Sequence, residues 1–374
     1  MLIFIKSKRK MVLLLVIGCL VLYGSGVYLQ NYFPEDSAVP VSEDIEDMLT
    51  TKVQDIFKVR NKALLEKETD KLESLYSTET KGRWAYEHEL KRMKYLHKWS
   101  DKQGVEFKEI DSRIVVKRIE EEEDGFSVNL SVSTEYQYVY EDSPETDNSF
   151  RTGSYHVLDL APQDEELVIT KEWYRDPFAD SLNLDELKDQ KVKELILSKE
   201  PKDLSDLDEK RKKALEYVDQ YCGAASPPEY GFEYNSDYKN YNYQGGDCTN
   251  FLSQVLYEAG GFSKDSTWNY SQGSGSKAWV NAHVFNRYML NSGRGSLIAR
   301  GTYDEVLEPS YKLLPGDYIA YEKNGKVAHV SIVTGIDSKG YILVNSHNAD
   351  RHRVPWDLGW SNKGIKFLLV RVNY

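Results

Sequence analysis

The stretch Gly246-Asp247-Cys248-Thr249-Asn250-Phe251-Leu252-Ser253-Gln254 constrains this chain more than any other. A Gly-Gly pair makes a turn just before it, and from Cys248 onward Phe251, Leu252, Val255, Leu256 and Ala259 recur at helical spacing. Gly260-Gly261 ends the run, so the spacing predicts a buried helix that starts at a thiol. Asp247 is placed to cap it by accepting from the amides of Thr249 and Asn250. Free N–H groups and the helix dipole at that end favour thiolate over thiol, so Cys248 reads as a nucleophile. Its own backbone N–H is the natural donor to an oxyanion.

A thiol nucleophile needs a base from elsewhere in the chain. His329 opens the strand-like run His329-Val330-Ser331-Ile332-Val333, just after the tight turn Leu314-Pro315-Gly316-Asp317-Tyr318 and its strand. It is the expected base. The next run, residues 341–348, offers Asn345 and His347 two apart and so on one face. His347 is preferred as the third catalytic group, with Asn345 close behind, and either could instead bind substrate. Asp350 and His352 read as loop residues beyond that strand. Trp268 and Trp279 are candidates to line a substrate groove. No cofactor is implied, and metal chemistry fits poorly. His283, His329, His347 and His352 lack the paired spacing of zinc sites, and no phosphate-binding glycine loop occurs.

Before this region the pattern changes. Lys6, Lys8, Arg9 and Lys10 precede residues 11–29, which carry no charged side chain. A helix of that length spans about 28 Å, close to the hydrocarbon core of a bilayer. Residues 1–30 are therefore expected to form a cytoplasmic stub and a transmembrane helix, with everything after them outside. The same run could serve as a signal cleaved after Gly26. The expected location is the cell membrane with extracellular C-terminal domains, or the medium if the signal is cleaved. Residues 31–42 form a polar tether. The net charge of −12 excludes a nucleic-acid binder, which needs a basic face. Cys222 and Cys248, the two cysteines beyond residue 30, could form one bridge, but Cys222 closes a helical apolar stripe and reads as core.

Residues 43–180 carry two helical patterns and then four strand-like runs at 105–119, 126–140, 150–161 and 166–174, with turn-rich connections. The order suggests an α+β domain with a curved sheet wrapping a helix, and it resembles the cystatin-like or SnoaL-like cone domains. His88, His97 and His156 show no metal spacing there, and no carboxylate–histidine pair stands out. Residues 181–209 read as a charged linker helix. Residues 210–374 read as a helix, a tyrosine-rich loop, the cysteine helix, another helix at 277–290 and then an antiparallel sheet.

The motifs of this last part occur together in one known family. Helix, Tyr-rich loop, Asp-Cys-Thr-Asn-Phe-x-Ser-Gln, Gly-Gly, a Trp-containing segment, Pro-Gly-Asp and His-Val-x-Ile-Val-Thr-Gly resemble the putative amidase domain of exported Gram-positive proteins. That family is a papain-like relative of the NlpC-like and CHAP cysteine peptidases. The resemblance implies that Cys248 is the nucleophile and His329 the base, with the Asn345/His347 strand supplying the third residue. Ser346-His347-Asn348-Ala349-Asp350-Arg351 looks like the family's closing motif and favours His347. The expected activity is an exported cysteine amidohydrolase acting on envelope amides, most plausibly in peptidoglycan peptides. A transamidase or acyltransferase using the same acyl-enzyme, or a non-catalytic envelope-binding module, is the alternative.

Overall fold

Long antiparallel strands dominate the architecture, and they follow from the alternating sequence of the first half. The computed structural model describes residues 41–164, 166–178, 189–360 and 364–374. Helix α1 (Glu43–Glu66) turns Leu49, Val53, Ile56, Phe57, Ala63 and Leu64 inward at three- and four-residue steps. A short α2 (Thr69–Glu73) leads to α3 (Thr80–Gln103), which buries Met93, Leu96 and Trp99. Gly104 ends α3 with φ of 70°, a left-handed cap that turns the chain directly into β1 (Val105–Glu122). Strands β2 (Gly125–Tyr140), β3 (Ser143–Gln163) and β4 (Glu166–Tyr174) follow as a meander.

Helices α4 (Asp189–Leu197) and α5 (Glu209–Gln220) come next. The cysteine helix α6 (Cys248–Gln254) continues as a π turn over Val255–Ala259. A small hairpin, β5 (Tyr270–Ser271) and β6 (Ser274–Gly275), precedes α7 (Lys277–Val280) and α8 (Ala282–Asn291). The remaining elements are β7 (Gly295–Gly301), α9 (Tyr303–Ser310), β8 (Tyr318–Lys323), β9 (Lys326–Ile336), β10 (Ile342–Ser346), β11 (Asp350–Pro355) and β12 (Ile365–Val372).

One 10-stranded sheet, in the order β1-β2-β3-β11-β10-β9-β8-β12-β7 with β4 also on β3, runs through residues 105–372. Its two halves meet where β11 pairs with β3, at Asp350–Gly153, Arg351–Thr152 and His352–Arg151. Gly153 is required there: a Cβ on it would stand 2.5 Å from that of Ala224. The halves expected at 43–180 and 210–374 thus share a sheet, and Glu43–Tyr374 is a single compact unit.

The fold class needs one correction. The described fold is α+β with a large antiparallel sheet, and among the described residues no helix is long and apolar enough to cross a membrane. Helices α1 and α3 have the length, at 24 residues each, but are charged along their exposed sides. The spanning helix expected over residues 11–29 lies outside the described residues.

In the second half, side-chain alternation gives the sheet two apolar faces. Tyr318, Ala320, Val330, Ile332, Leu368 and Val370 pack with Cys248, Phe251, Leu252, Trp268, Trp279 and Phe285. Ile319, Tyr321, Val333, Val344, Phe367 and Leu369 pack on the other side with Trp99, Trp356, Leu358 and Trp360. Full burial of each such large side chain contributes about 1.5–3 kcal/mol relative to exposure.

Candidate functional site

Gly245 and Gly246, with φ of 104° and 124°, form the turn that delivers Asp247 and Cys248 to the start of α6. A Cβ on Gly246 would meet the Asn348 side chain at 2.6 Å, so the turn nests against the loop after β10. Cys248 is 6% exposed. Its sulfur lies 3.7 Å from Thr249 Oγ1 and receives the backbone N–H of Val330. Burial pushes this thiol above its ordinary range, outweighing those hydrogen bonds, and the neighbouring Asp247 charge adds to the rise. In the free protein Cys248 is therefore a thiol. Cys222 and Cys248 are both free and buried.

Asp247 does not cap α6. Its backbone has φ −109° and ψ −2°, and its side chain makes no capping bond. Instead Oδ1 accepts from Tyr241 N at 2.8 Å and Asn250 Nδ2 at 2.9 Å, and Oδ2 meets His347 Nδ1 at 2.7 Å. His347 Nε2 reaches the carbonyl of Tyr221 at 2.7 Å. The ring stacks on Phe251, with centroids 3.8 Å apart, and Tyr234 stands edge-on to it at 4.6 Å. Burial alone would lower His347, but the Asp247 hydrogen bond and charge outweigh it and raise its pKa. Two oxygen acceptors on two ring nitrogens are the partners of an imidazolium.

The loop that follows is strained: Asn348 and Ala349 have φ of 77° and 71°, the left-handed region that Ala in particular avoids. Arg175 donates to Asn348 Oδ1 and anchors this loop to the end of β4. Asp350 is not a loop residue; it begins β11 and is 2% exposed. Its Oδ2 accepts from Ala224 N at 2.8 Å and Tyr234 Oη at 2.6 Å, and burial pushes it up to about 6 despite the nearby His347 charge. His352 likewise lies on β11 and meets Asp219 at 3.0 Å.

The structure does not bring His329 to Cys248. Tyr321 pairs with His329 and Ala320 with Val330, and the shift between Tyr321 and Glu322 leaves Ala328 as a one-residue bulge. His329 therefore shares the face of Tyr321, 5.5 Å away, and stacks on Trp360 at 5.2 Å. Val330, whose amide meets the Cys248 sulfur, faces the other way. Burial, with the charge of Arg351, pushes His329 well below its ordinary pKa, and Nε2 has no hydrogen-bond partner. Asn345 is also occupied elsewhere. Its Oδ1 accepts from Thr334 and Arg353 N, and its Nδ2 points to Cys222 at 3.7 Å.

Of the two histidines expected to serve Cys248, His347 is the one on its side of the sheet. The register that pairs Asn345 with Ile332, continued two residues, carries His347 level with Val330. Trp268 and Trp279 do not line a groove. Both are 0% exposed, stacked 4.6 Å apart, and bonded to Ser253 and Asn250 of α6 at 3.0 and 2.9 Å. They hold the cysteine helix in place. A cavity of about 200 Å³ lies elsewhere, bordered by Asn242, Tyr243, Ala349, Asp350, Ser154 and Trp173, and a larger one of about 460 Å³ is bordered by Trp84, His88, Glu172 and Trp173.

Sequence reasoning missed two carboxylate–histidine pairs in the first half: His88 with Asp176 and His156 with Glu172, each at 2.8 Å. Only the folding of α3 and β3 against the β4 segment joins them, so no local spacing shows them. Among the described residues no cluster of three or more His, Cys, Asp or Glu side chains could hold a metal.

A buried thiol, a carboxylate–imidazole pair and an antiparallel α+β scaffold make up the site, and its class follows from the family. Residues 208–370 match the family model described as the putative amidase domain. The class is therefore that of a hydrolase acting on amides. No curated protein matches the chain. A solved structure, the intermembrane space region of the chloroplast protein ARC6, is similar at 10% identity over 36% of this chain and 96% of that one. Its TM-score is 0.25, and no argument rests on it.

Proposed function

We propose that this protein is a cysteine amidohydrolase in which Cys248 is the nucleophile and His347, oriented by Asp247, is the base. The observation that carries this reading is the Asp247–His347 pair at 2.7 Å, formed by the residue next to Cys248. His347 takes the thiol proton as the sulfur bonds to the amide carbon, exchanging its contact with the Tyr221 carbonyl for one with Sγ. It then returns the proton to the leaving amine, and water hydrolyses the thioester by the same route. The amide of Val330 already donates to the sulfur and favours its anion.

The substrate in this reading is an amide of peptidoglycan peptides outside the cell. The basic stretch followed by an apolar run at the start of the sequence supports export. Tyr243 and Trp173, 88% and 60% exposed beside the cavity, suit a polymer held by stacking and hydrogen bonds. The test is incubation of the protein with purified peptidoglycan fragments and mass analysis of the products. New amine and carboxyl ends, absent with Cys248→Ala, are expected. Equal release by that variant removes the proposal, and products joined to an added amine convert it to a transferase.

A further inference from the structure

A second nucleophile constellation lies in the first half of the chain. Ser154 and His156 are two apart on β3 and so share a face. Ser154 Oγ is 2.8 Å from His156 Nε2, and His156 Nδ1 is 2.8 Å from Glu172 Oε1. Glu172 lies on β4, diagonal to His156, whose direct partner is Tyr174. Arg60 clamps the Glu172 carboxylate at 2.9 and 2.8 Å, and Tyr174 stacks on the imidazole with centroids 4.2 Å apart. His156 and Glu172 are almost fully buried at 3% and 2%. Ser154 is half-buried and is one of the residues that border the cavity of about 200 Å³, together with Tyr155, Trp173, Arg175, Tyr243 and Asp350.

We propose that Ser154, His156 and Glu172 form a second acyl-transfer site, with Ser154 as its nucleophile, for small carboxylic esters that enter this cavity. Geometry and roles define such a site, irrespective of sequence order. The ring accepts from the serine hydroxyl at Nε2 and donates to the carboxylate at Nδ1, the tautomer a general base requires. Burial keeps His156 low and hence neutral, while Arg60 and His156 hold Glu172 ionised against the opposing effect of burial. As Oγ bonds to the ester carbonyl carbon, its proton moves to His156 Nε2. The ester C–O bond then breaks and the departing alkoxide takes that proton. Water, deprotonated by the same nitrogen, releases the carboxylic acid and restores Ser154. Glu172 acts through His156 and is a positioning residue.

The full chain is treated with a fluorophosphonate probe, and the adduct is mapped by peptide mass. Labelling on Ser154 is expected, with the rate per folded molecule, normalised by circular dichroism, falling about 100-fold in His156→Gln. Glu172→Gln is expected to lower the same normalised rate, which a merely structural role would leave unchanged. In a Cys248→Ala background, which removes the competing thiol, Ser154→Ala, a small change at a half-buried position, is expected to lose hydrolysis of p-nitrophenyl acetate. Ser154 unlabelled in the folded chain, or labelled no faster than in urea, overturns the proposal. So does ester turnover undiminished when Ser154→Ala is added to Cys248→Ala.

Discussion

The Asp247 carboxylate and the His347 ring meet at 2.7 Å with both side chains 1% exposed, directly beside the only thiol that opens a helix among the described residues. A buried pair of this kind has a defined sign. His347 is raised in the folded chain, so its contribution to stability is complete below the ordinary histidine range and is lost as pH rises through the raised value. Asp350, pushed up to about 6, acts in the same direction, because its ionised form is disfavoured by folding. Denaturant unfolding between about pH 6.5 and pH 9, above the ordinary histidine value, is expected to show stability falling with pH. Asp247→Asn should flatten that slope and cost about 3–5 kcal/mol at its acid end, where it leaves a buried imidazolium without its anion.

If His347 is the base, it must be neutral to accept the thiol proton. Hydrolysis is then expected to rise with pH on an acid limb set above the ordinary histidine value of about 6.5. In the substrate-free protein, burial of Cys248 makes iodoacetamide alkylation slow at neutral pH, accelerating only above the ordinary thiol range near about 8.5. Fast alkylation at pH 6 (about two units lower) would show a thiolate already formed, and a different resting state.

His329 gives a prediction of opposite sign. Its pKa is pushed well below the ordinary value, so it favours the folded state above that value and opposes it as pH falls. Its Nε2 is buried without a partner, a cost of about 1–3 kcal/mol. His329→Phe keeps the stack on Trp360 and removes that atom. It is expected to hold or raise stability by about 1 kcal/mol and to reduce acid sensitivity. Amide hydrolysis should survive in this variant, and its loss would return the base to His329.

That contrast shows how far the sequence could be read. The stripe from Phe251 to Ala259 gave the cysteine helix because one buried face has one period. The alternation through residues 105–174 gave four strands for the same reason. The face of His329 depends on the bulge at Ala328, and a one-residue shift in a strand leaves no trace in composition. Strand β11 escaped notice because Asp350-Arg351-His352-Arg353 is charged. Its partners come largely from distant segments: Asp350 from Tyr234, Arg351 from the carbonyl of Pro177, and His352 from Asp219. Trp268 and Trp279 looked like groove residues because the polar atoms they satisfy, on Ser253 and Asn250, are buried on another element.

The shared sheet bears on how the amidase part can be studied. Asp357 is 0% exposed and receives Lys102 from α3, Trp99 Nε1 at 3.2 Å and Tyr341 Oη at 2.8 Å. Asp337 is bonded to Tyr138 and Tyr140 of β2 at 2.9 and 2.7 Å. Excision of residues 208–374 removes Lys102, Trp99 and both tyrosines, and bares the β11 edge that β3 covers. Asp357 then keeps only Tyr341 of these three partners and Asp337 loses both tyrosines, and an open strand invites pairing between copies. The excised piece is expected to aggregate or to lack cooperative unfolding, whereas residues 41–374 unfold in one transition. Lys102→Met in that longer chain isolates the charge effect. It should cost about 3–5 kcal/mol in denaturant titration, since it leaves Asp357 buried without its cation.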